Sequence, residues 1–331
     1  MSRVKQHPGE EGLPGEGSGA FGKAAGGVVS FADRLAALVE ERRSQIVLGL
    51  DPDPAALWPV AVETARDLSG GPAELTAAAV ERHCRAAIEA VGATVVAIKP
   101  QLACFERLGA PGWAALQATI DAAHDAGLLV LADGKRGDVP VTAKAYAQAL
   151  VGSTPGPFGE VAGLGADAFT ANPLLGRDAL EPLVSAARTA GACCFCLVRT
   201  SNPGAADVQD LPAPDAPLYE RLAALVHELG EVGDSGLADV GAVTGATRPE
   251  MLGRLRELMP HAIFLLPGVG AQGGDVAALG AAFEPHPAAA LVTSSRSIVN
   301  AHEKRGGDPA DAAAAAAEEL RKSAWKLSGR G

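Results

Sequence analysis

From Phe31 onward the chain alternates short apolar runs with longer amphipathic segments, and this alternation is the strongest constraint on its fold. Eight apolar runs have the length and composition of buried strands, and they lie at residues 45–50, 94–99, 128–133, 168–170, 193–198, 239–243, 262–266 and 289–293. Segments with helical periodicity accompany them at residues 72–91, 111–126, 142–150, 178–190, 216–229, 249–258 and 309–326. Eight strands, each followed by a helix, predict an α/β fold of the (β/α)8 (TIM) barrel class.

The same pattern predicts a single barrel domain over residues 30–328, preceded by a flexible tail. Residues 1–29 are rich in Gly, Pro, Glu and Lys and show no periodic apolar pattern, as is typical of segments that cannot form a core. A doubly wound open sheet is the alternative, because it also alternates strands and helices. No Gly-x-Gly-x-x-Gly turn follows the first strand, however, and eight units favour a closed barrel. Two long connections, residues 151–165 and 202–214, have no predicted position relative to the barrel mouth.

Composition narrows the class of partner. The 331 residues carry a formal net charge of −11, which argues against nucleic acid or an anionic membrane surface. No apolar run reaches the ~18 residues of a membrane span, and the N-terminus lacks the apolar stretch of a signal peptide. The five cysteines fit neither a zinc site nor a disulfide framework, and along their apolar run Cys193 and Cys194 point to opposite faces. We therefore predict reduced thiols in a cytoplasmic protein.

Charged side chains stand where the first three predicted strands end. Asp51 follows the first strand, Lys99 ends the second, and Asp133 and Lys135 end the third. Because strand ends on one side of a barrel meet at one rim, we expect these side chains to lie together. Asp133 and Lys135 are two residues apart, so on a regular strand they project from the same face.

Two ammonium groups around carboxylates would form an alternating charge array. At an effective dielectric constant of about 20, one contact at about 4 Å is worth roughly 4 kcal/mol before desolvation is subtracted. An ordinary rim salt bridge, worth about 0–1 kcal/mol, is the alternative. The polar ends of later strands favour the functional interpretation.

The fifth, seventh and eighth predicted strands end in polar or glycine-rich turns, at residues 199–204, 267–275 and 293–298. Loops after the seventh and eighth strands of such barrels frequently hold a phosphate. Glycine-rich turns present backbone N–H groups to the anion, and Arg296 can add a bidentate guanidinium. The glycines alone could equally be plain turn residues, but beside Arg296 they predict phosphate binding.

The segment Asp133-Gly134-Lys135-Arg136-Gly137-Asp138 resembles the Asp-x-Lys-x-x-Asp signature of the orotidine 5′-phosphate decarboxylases. It is most similar to the branch with Lys-Arg-Gly-Asp, and Thr-Ala-x-Ala-Tyr follows it here at residues 142–146. The resemblance runs from about Phe31 to the final helix and includes Asp51, Lys99 and residues 200–204, 267–275 and 295–298. Two positions depart from it: Gly134, where Ala or another small residue is expected, and Ser295, where many relatives carry glycine.

The resemblance implies decarboxylation of orotidine 5′-phosphate to UMP and CO2, the last step of de novo pyrimidine nucleotide synthesis, with no cofactor and no metal. The charge left at C6 of the pyrimidine cannot be delocalised into the ring, so such an enzyme must stabilise it with preorganised charges. The implied catalytic residues are Lys135, Asp133, Lys99 and Asp138. Lys135 would stabilise the carbanion and protonate it, while Asp133 would lie against the departing carboxylate and hold Lys135.

The implied substrate-binding residues are Asp51, Thr142, Ser201, Gln272, Ser295 and Arg296. Asp51, with Lys99, would bind the ribose hydroxyls, Ser201 would contact the pyrimidine, and Gln272 and Arg296 would hold the 5′-phosphate beside Ser295. In the family the equivalents of Asp138 and Thr142 reach the active site of a partner subunit. The resemblance therefore implies a homodimer, with orotidine 5′-phosphate and UMP as ligands.

Three other functions remain open from the sequence. Sugar-phosphate decarboxylases and hexulose-phosphate synthases share Asp-x-Lys-x-x-Asp but use magnesium and an enediolate. A Schiff-base aldolase would need an imine at Lys99 or Lys135, although flanking carboxylates favour the charged ammonium. A nucleotide sensor without activity would predict a broken charge array, whereas Asp51, Lys99, Asp133 and Lys135 are all present.

Overall fold

The protein was analysed as a computed structural model that describes residues 28–212, 214–269 and 274–330, so residues 1–27 of the predicted tail lie outside the described residues. Its strands are β1 (Ile46–Leu50), β2 (Ala97–Pro100), β3 (Leu129–Arg136), β4 (Ser153–Gly156), β5 (Gly159–Ala162), β6 (Ala168–Ala171), β7 (Cys193–Arg199), β8 (Val240–Thr244), β9 (Phe264–Leu266) and β10 (Ala290–Ser294). All except β4 and β5 form one closed barrel in the order β1-β10-β9-β8-β7-β6-β3-β2. The first and last strands pair in parallel, with Val47 opposite Thr293. An open sheet has no such closing pair, and the predicted (β/α)8 barrel is confirmed.

The α-helices lie outside or below the barrel. They are α1 (Phe31–Arg42), α2 (Pro59–Arg66), α3 (Pro72–Val91), α4 (Leu102–Glu106), α5 (Ala110–Asp125), α6 (Pro140–Leu150), α7 (Arg177–Ala190), α8 (Leu218–Leu229), α9 (Leu252–Leu258), α10 (Arg296–Val299), α11 (Ala301–Arg305) and α12 (Pro309–Trp325). Proline opens several of them, where its missing N–H costs nothing because the first turn has no partner for it.

The prediction that a helix follows every strand is wrong for β9. The described residues between β9 and β10 form only 3₁₀ turns, at Val276–Ala278, Gly280–Phe283 and Pro287–Ala289. Pro285 and Pro287 lack the N–H that an α-helix requires at these positions, and Gly280 weakens helical structure further. A buried arginine, Arg256 of α9, donates to carbonyl groups of this segment at Ala282 and Ala289.

The apolar core has two parts. One lies between the strands and the surrounding helices, and the other fills the barrel and continues into α1 at its lower end. Phe31 of α1 meets Phe195 of β7 edge to face, with ring centroids 6.0 Å apart. Cys193 belongs to the inner part and Cys194 to the outer part, which confirms that they point to opposite faces. All five cysteines are free thiols.

The two long connections lie at opposite ends of the barrel. The predicted loop 151–165 contains an antiparallel hairpin of β4 and β5, which the sequence reading missed. This hairpin joins the end of α6 to the start of β6, so it lies at the end away from the carboxyl ends of the strands. The second connection follows β7 and lies at the mouth, where Asn202 and Gln209 line the main cavity.

Candidate active site

A cavity of about 640 Å³ opens at the carboxyl ends of the barrel strands. It brings together seven of the predicted site residues: Asp51, Lys99, Asp133, Lys135, Ser201, Ser295 and Arg296. Asp138 and Thr142 do not line it. Gln272 lies outside the described residues, so its predicted role has no structural counterpart. The predicted rim of polar strand ends is therefore a single concave site.

Asp133 is the centre of the site because four donors converge on its carboxylate. The ammonium groups of the two lysines take one oxygen each, with Lys99 Nζ 2.5 Å from Oδ2 and Lys135 Nζ 2.7 Å from Oδ1. Gln101 donates to Oδ2 at 3.3 Å, and the Thr170 hydroxyl donates to Oδ1 at 2.8 Å. Every lone-pair direction of this carboxylate is thus occupied, which fixes its orientation.

Burial and charge shape the protonation of this array. Burial raises the pKa of Asp133, but the neighbouring charges of Lys99 and Lys135 outweigh it and lower that pKa to about 2. Burial lowers the pKa of Lys99, but the charges of Asp133 and Asp51 outweigh this and leave the pKa above its usual value. Both groups are therefore ionised at neutral pH. The side chain of Lys135 is 43% exposed, against 8% for Lys99, so Lys135 is the ammonium that faces the open cavity.

The third strand does not carry Asp133 and Lys135 in the regular way that the sequence reading assumed. The register of β3 against β6 shifts between Ala132 and Arg136. Lys135 has a φ of 48°, in the left-handed region that residues other than glycine rarely adopt. The two side chains still meet, but through a strand irregularity rather than through simple alternation.

Apolar side chains cover part of the cavity wall beside the charges. Leu197, Val243 and Leu265 line it from β7, β8 and β9. Such a wall excludes water and strengthens the electrostatic interactions of the neighbouring ions.

The connection after β7 is fixed to the barrel by a buried ion pair. Arg199 donates to both carboxylate oxygens of Asp210, at 2.7 and 3.0 Å. Gln209 accepts the backbone N–H of Thr200 at 2.8 Å. Ser201 lies between these anchors, and a Cβ at Gly245 would lie only 2.7 Å from its Cα, so this glycine admits the turn.

The predicted phosphate end of the site combines β1 and β10. Arg296 is exposed at the start of α10, and its guanidinium makes no ion pair or hydrogen bond with any other residue that the structure describes. Ser295 fits beside β1 because residue 49 is glycine, since a Cβ there would lie 2.8 Å from the Cβ of Ser295. Arg296 therefore offers an unengaged guanidinium at the cavity wall.

Asp138 and Thr142 lie outside the lining of the main cavity of their own chain. The carboxylate of Asp138 accepts the N–H of the adjacent Val139 at 2.7 Å. Val139 and Val141 beside them are exposed, Val141 to 85%. Two polar residues are thus held beside an exposed apolar surface.

Sequence reasoning missed four polar residues that line the cavity: Gln101, Thr170, Asn172 and Gln209. Gln101 stands two residues after Lys99, Thr170 lies near the end of β6, the fourth barrel strand, and Asn172 directly follows that strand. The rule that found Asp51 and Lys99, a polar residue at the end of an apolar run, applies equally to Thr170.

Two absences bear on the site and its surroundings. Within the described ranges, no group of three or more His, Cys, Asp or Glu side chains is arranged to hold a metal ion. Over the same ranges, no helix is both long and apolar enough to cross a membrane.

Comparison with protein-family models identifies the family to which this chain belongs. The family model described as "Orotidine 5'-phosphate decarboxylase / HUMPS family" matches residues 44–315. The chain belongs to this family. Membership covers the whole barrel from before β1 to within α12.

Named relatives within the orotidine 5′-phosphate decarboxylase / HUMPS family are close in sequence. The "Orotidine 5'-phosphate decarboxylase" of Rhodopirellula baltica is 42% identical over 286 residues, which cover 84% of this chain and 90% of that protein. The protein of the same name from Deinococcus radiodurans is 39% identical over 294 residues, covering 88% and 97%. The solved structure of Leishmania donovani OMP decarboxylase matches with a TM-score of 0.68 and 32% identity, over 92% of this chain and all of that one.

Proposed function

We propose that this chain decarboxylates orotidine 5′-phosphate to UMP and CO2 without a cofactor, as the last step of de novo pyrimidine nucleotide synthesis. Membership of the family supports the reaction class, and the names of the relatives favour the decarboxylase over the HUMPS activity. The observation that carries the proposal is the array of Lys99, Asp133 and Lys135, in which one carboxylate separates two ammonium groups at the cavity wall.

The chemistry follows from this array. Breaking the bond between C6 and the carboxylate releases CO2 and leaves an electron pair on C6. The Lys135 ammonium stabilises that pair by its charge and then transfers a proton to it, which forms UMP and leaves a neutral amine. The amine regains a proton from water, which reaches it because the side chain is partly exposed. Asp133 holds Lys135 in position, and it lies where the substrate carboxylate would depart.

The substrate would lie across the cavity with its phosphate toward β10. Arg296 would bind the phosphate beside Ser295, together with Gln272 from the segment outside the described residues. Asp51 and Lys99 would bind the ribose hydroxyls, and Ser201 the pyrimidine. Binding a remote phosphate lets its interaction energy contribute to the reaction at C6.

We further propose a homodimer in which Asp138 and Thr142 complete the site of the partner. The support is that neither residue lines the main cavity of its own chain and that both lie beside the exposed Val139 and Val141. A twofold interface places the same patch of each subunit against the other, so both sites would be completed together.

Residues 30–328 would form this catalytic barrel, with residues 1–29 as a tail. A cytoplasmic location is proposed from the five unpaired thiols, which are typical of reducing compartments.

The test is loss of orotidine 5′-phosphate absorbance in buffer with EDTA, wild type against Lys135→Ala. Metal-independent decay in the wild type that Lys135→Ala abolishes is the expected result. Lys322→Ala is the matched control, since its side chain is 68% exposed on α12 and lies outside the cavity. No decay with folded wild type would overturn the proposal and direct attention to sugar phosphates with magnesium.

The shared site has its own test. Lys135→Ala and Asp138→Ala are each expected to be nearly inactive, but a mixed dimer contains one site with both native residues. Random mixing would then restore about a quarter of the wild-type activity. A mixture as inactive as its components would contradict the sharing of Asp138.

A further inference from the structure

The left-handed backbone conformation of Lys135 is not held by the regular hydrogen bonds between β3 and β6. Its φ of 48° makes it one of only two described residues other than glycine with a positive φ, and the other, Arg43, is a helix C-cap. Such a conformation persists only where surrounding interactions enforce it. The register shift between Ala132 and Arg136 removes Lys135 from the regular pairing with β6.

A single hydroxyl group takes the place of that pairing. Thr170 Oγ1, on β6, accepts the backbone N–H of Lys135 at 2.8 Å. The same hydroxyl donates its proton to Asp133 Oδ1, also at 2.8 Å. Asp133 Oδ1 in turn accepts from Lys135 Nζ at 2.7 Å. These three contacts close a ring that joins the backbone of Lys135 to its own ammonium group through Thr170 and Asp133.

The direction of each hydrogen bond in the ring is fixed. A backbone N–H can only donate, and an ionised carboxylate can only accept. The hydroxyl of Thr170 must therefore accept from Lys135 and donate to Asp133, which is the single arrangement that satisfies all three residues. A residue that only accepts or only donates cannot replace it, and neither can an apolar residue of the same shape.

We propose that Thr170 is a positioning residue for the proton donor, because its hydroxyl fixes the backbone of Lys135 and the carboxylate of Asp133 at the same time. The inference rests on the proposed decarboxylation and deepens it. The side chain of Thr170 is 1% exposed, so its effect on substrate passes through Lys135 and Asp133. It acts on the step in which a proton moves to C6 rather than on the binding of the nucleotide.

The experiment compares Thr170→Val, Thr170→Ser and Thr244→Val with the wild type in steady-state decarboxylation. Valine keeps the shape and strand preference of threonine but removes the hydroxyl, whereas serine keeps the hydroxyl. Thr244 is the matched control, because it is equally buried in β8, two strands along the barrel from β6, and its hydroxyl has no hydrogen-bond partner within the described residues. Thermal unfolding of each variant checks that the barrel is folded.

We expect Thr170→Val to lower kcat by about 10²-fold with little change in KM, as for a misplaced catalytic group. Thr170→Ser should recover most of kcat, and Thr244→Val should match the wild type. A Thr170→Val enzyme with wild-type kcat, or a Thr170→Ser enzyme as slow as Thr170→Val, would overturn the inference.

Hydrogen exchange separates this inference from the proposed function, because it needs no turnover. The amide of Lys135 should exchange faster in Thr170→Val than in the wild type or in Thr170→Ser. Unchanged exchange would overturn the positioning role even in an active enzyme. A folded wild type that exchanges as expected but leaves orotidine 5′-phosphate intact would overturn the function in which the residue is placed.

Discussion

Substitution of Arg256 tests what holds the segment between β9 and β10, whose described residues form no α-helix, against the barrel. The guanidinium of Arg256 lies in the core and donates to five carbonyl oxygens. Four of these hydrogen bonds are short, to Met259 at 3.0 Å, Ala262 at 2.7 Å, Ala282 at 2.7 Å and Ala289 at 3.0 Å, and the fifth, to Pro260, is 3.5 Å long. The guanidinium also stacks on Phe264, 3.8 Å from the ring centroid. Burial lowers the pKa of Arg256 to about 9, so the group remains a cation at neutral pH.

The magnitude of an Arg256→Met substitution follows from these contacts. Methionine fills much of the same volume but removes the four short hydrogen bonds to these carbonyl groups. At about 1 kcal/mol net for each hydrogen bond the loss is about 4 kcal/mol, and the ring contact adds about 1 kcal/mol. Relief from burying a charge offsets part of this, so we expect a loss of roughly 3–5 kcal/mol in the free energy of unfolding. For a chain of this size that corresponds to a fall in Tm of roughly 10 °C.

The assay is thermal and urea unfolding of Arg256→Met beside Arg254→Met. Arg254 lies two residues away on the same helix, but its side chain is 50% exposed and pairs with Glu220 and Glu257 on the surface. Exposed pairs of this kind contribute little, so the control should unfold like the wild type. If Arg256→Met and Arg254→Met have the same Tm, Arg256 does not stabilise the segment between β9 and β10.

The remaining predictions concern acid stability and the phosphate end of the cavity. Burial, assisted by the charge of His302, lowers the pKa of His83 to about 4, and its Nδ1 accepts the N–H of Trp58 at 3.1 Å. Between about pH 6.5 and 4 the unfolded chain therefore binds more protons than the folded chain. The free energy of unfolding should fall by up to about 3 kcal/mol as the pH drops through this range. In His83→Gln the free energy of unfolding should depend less steeply on pH over the same range. The carboxylate of Asp133, with its pKa lowered to about 2, loses its contribution only below that range, so an unchanged slope in His83→Gln would contradict the assignment. Gly49→Ala should raise KM, because the new Cβ would lie 2.8 Å from the Cβ of Ser295. In the double variant Ser295→Gly should bring KM back toward the wild-type value. Additive effects of the two substitutions on KM would show that the positions do not interact.

Much of the site is predictable because a parallel barrel brings the carboxyl ends of all its strands to one rim, so polar residues that end apolar runs in the sequence lie together in space. Asp51, Lys99 and Asp133 end apolar runs in the sequence, and closure of the barrel brings those ends to one rim. No knowledge of side-chain packing is needed for this step. The same reasoning applies to Thr170, a polar residue near the end of β6.

Other features depend on interactions that sequence periodicity does not encode. The left-handed backbone of Lys135 arises from the hydroxyl of Thr170, which is 35 residues away in the chain. Prolines explain why the described residues between β9 and β10 form no α-helix, but the carbonyl groups of Ala282 and Ala289 in this segment accept from the guanidinium of Arg256, 26 and 33 residues earlier in the chain. In both cases a side chain that is distant in the sequence forms a hydrogen bond with a backbone group that a regular strand or helix would pair with another backbone group. The local sequence pattern does not show which side chain does so.

The pairing of β1 with β10 has a consequence for protein synthesis. Lys99, Asp133 and Lys135 have all been translated once β3 has emerged, but Ser295 and Arg296 are translated much later. At usual rates of elongation the interval is on the order of ten seconds, during which the barrel has no closing strand. A ribosome that stalls within this interval therefore releases a polypeptide with a lysine pair but no phosphate grip. We therefore expect activity only from chains long enough to pair β10 with β1, and a chain truncated before Ala290 should be inactive.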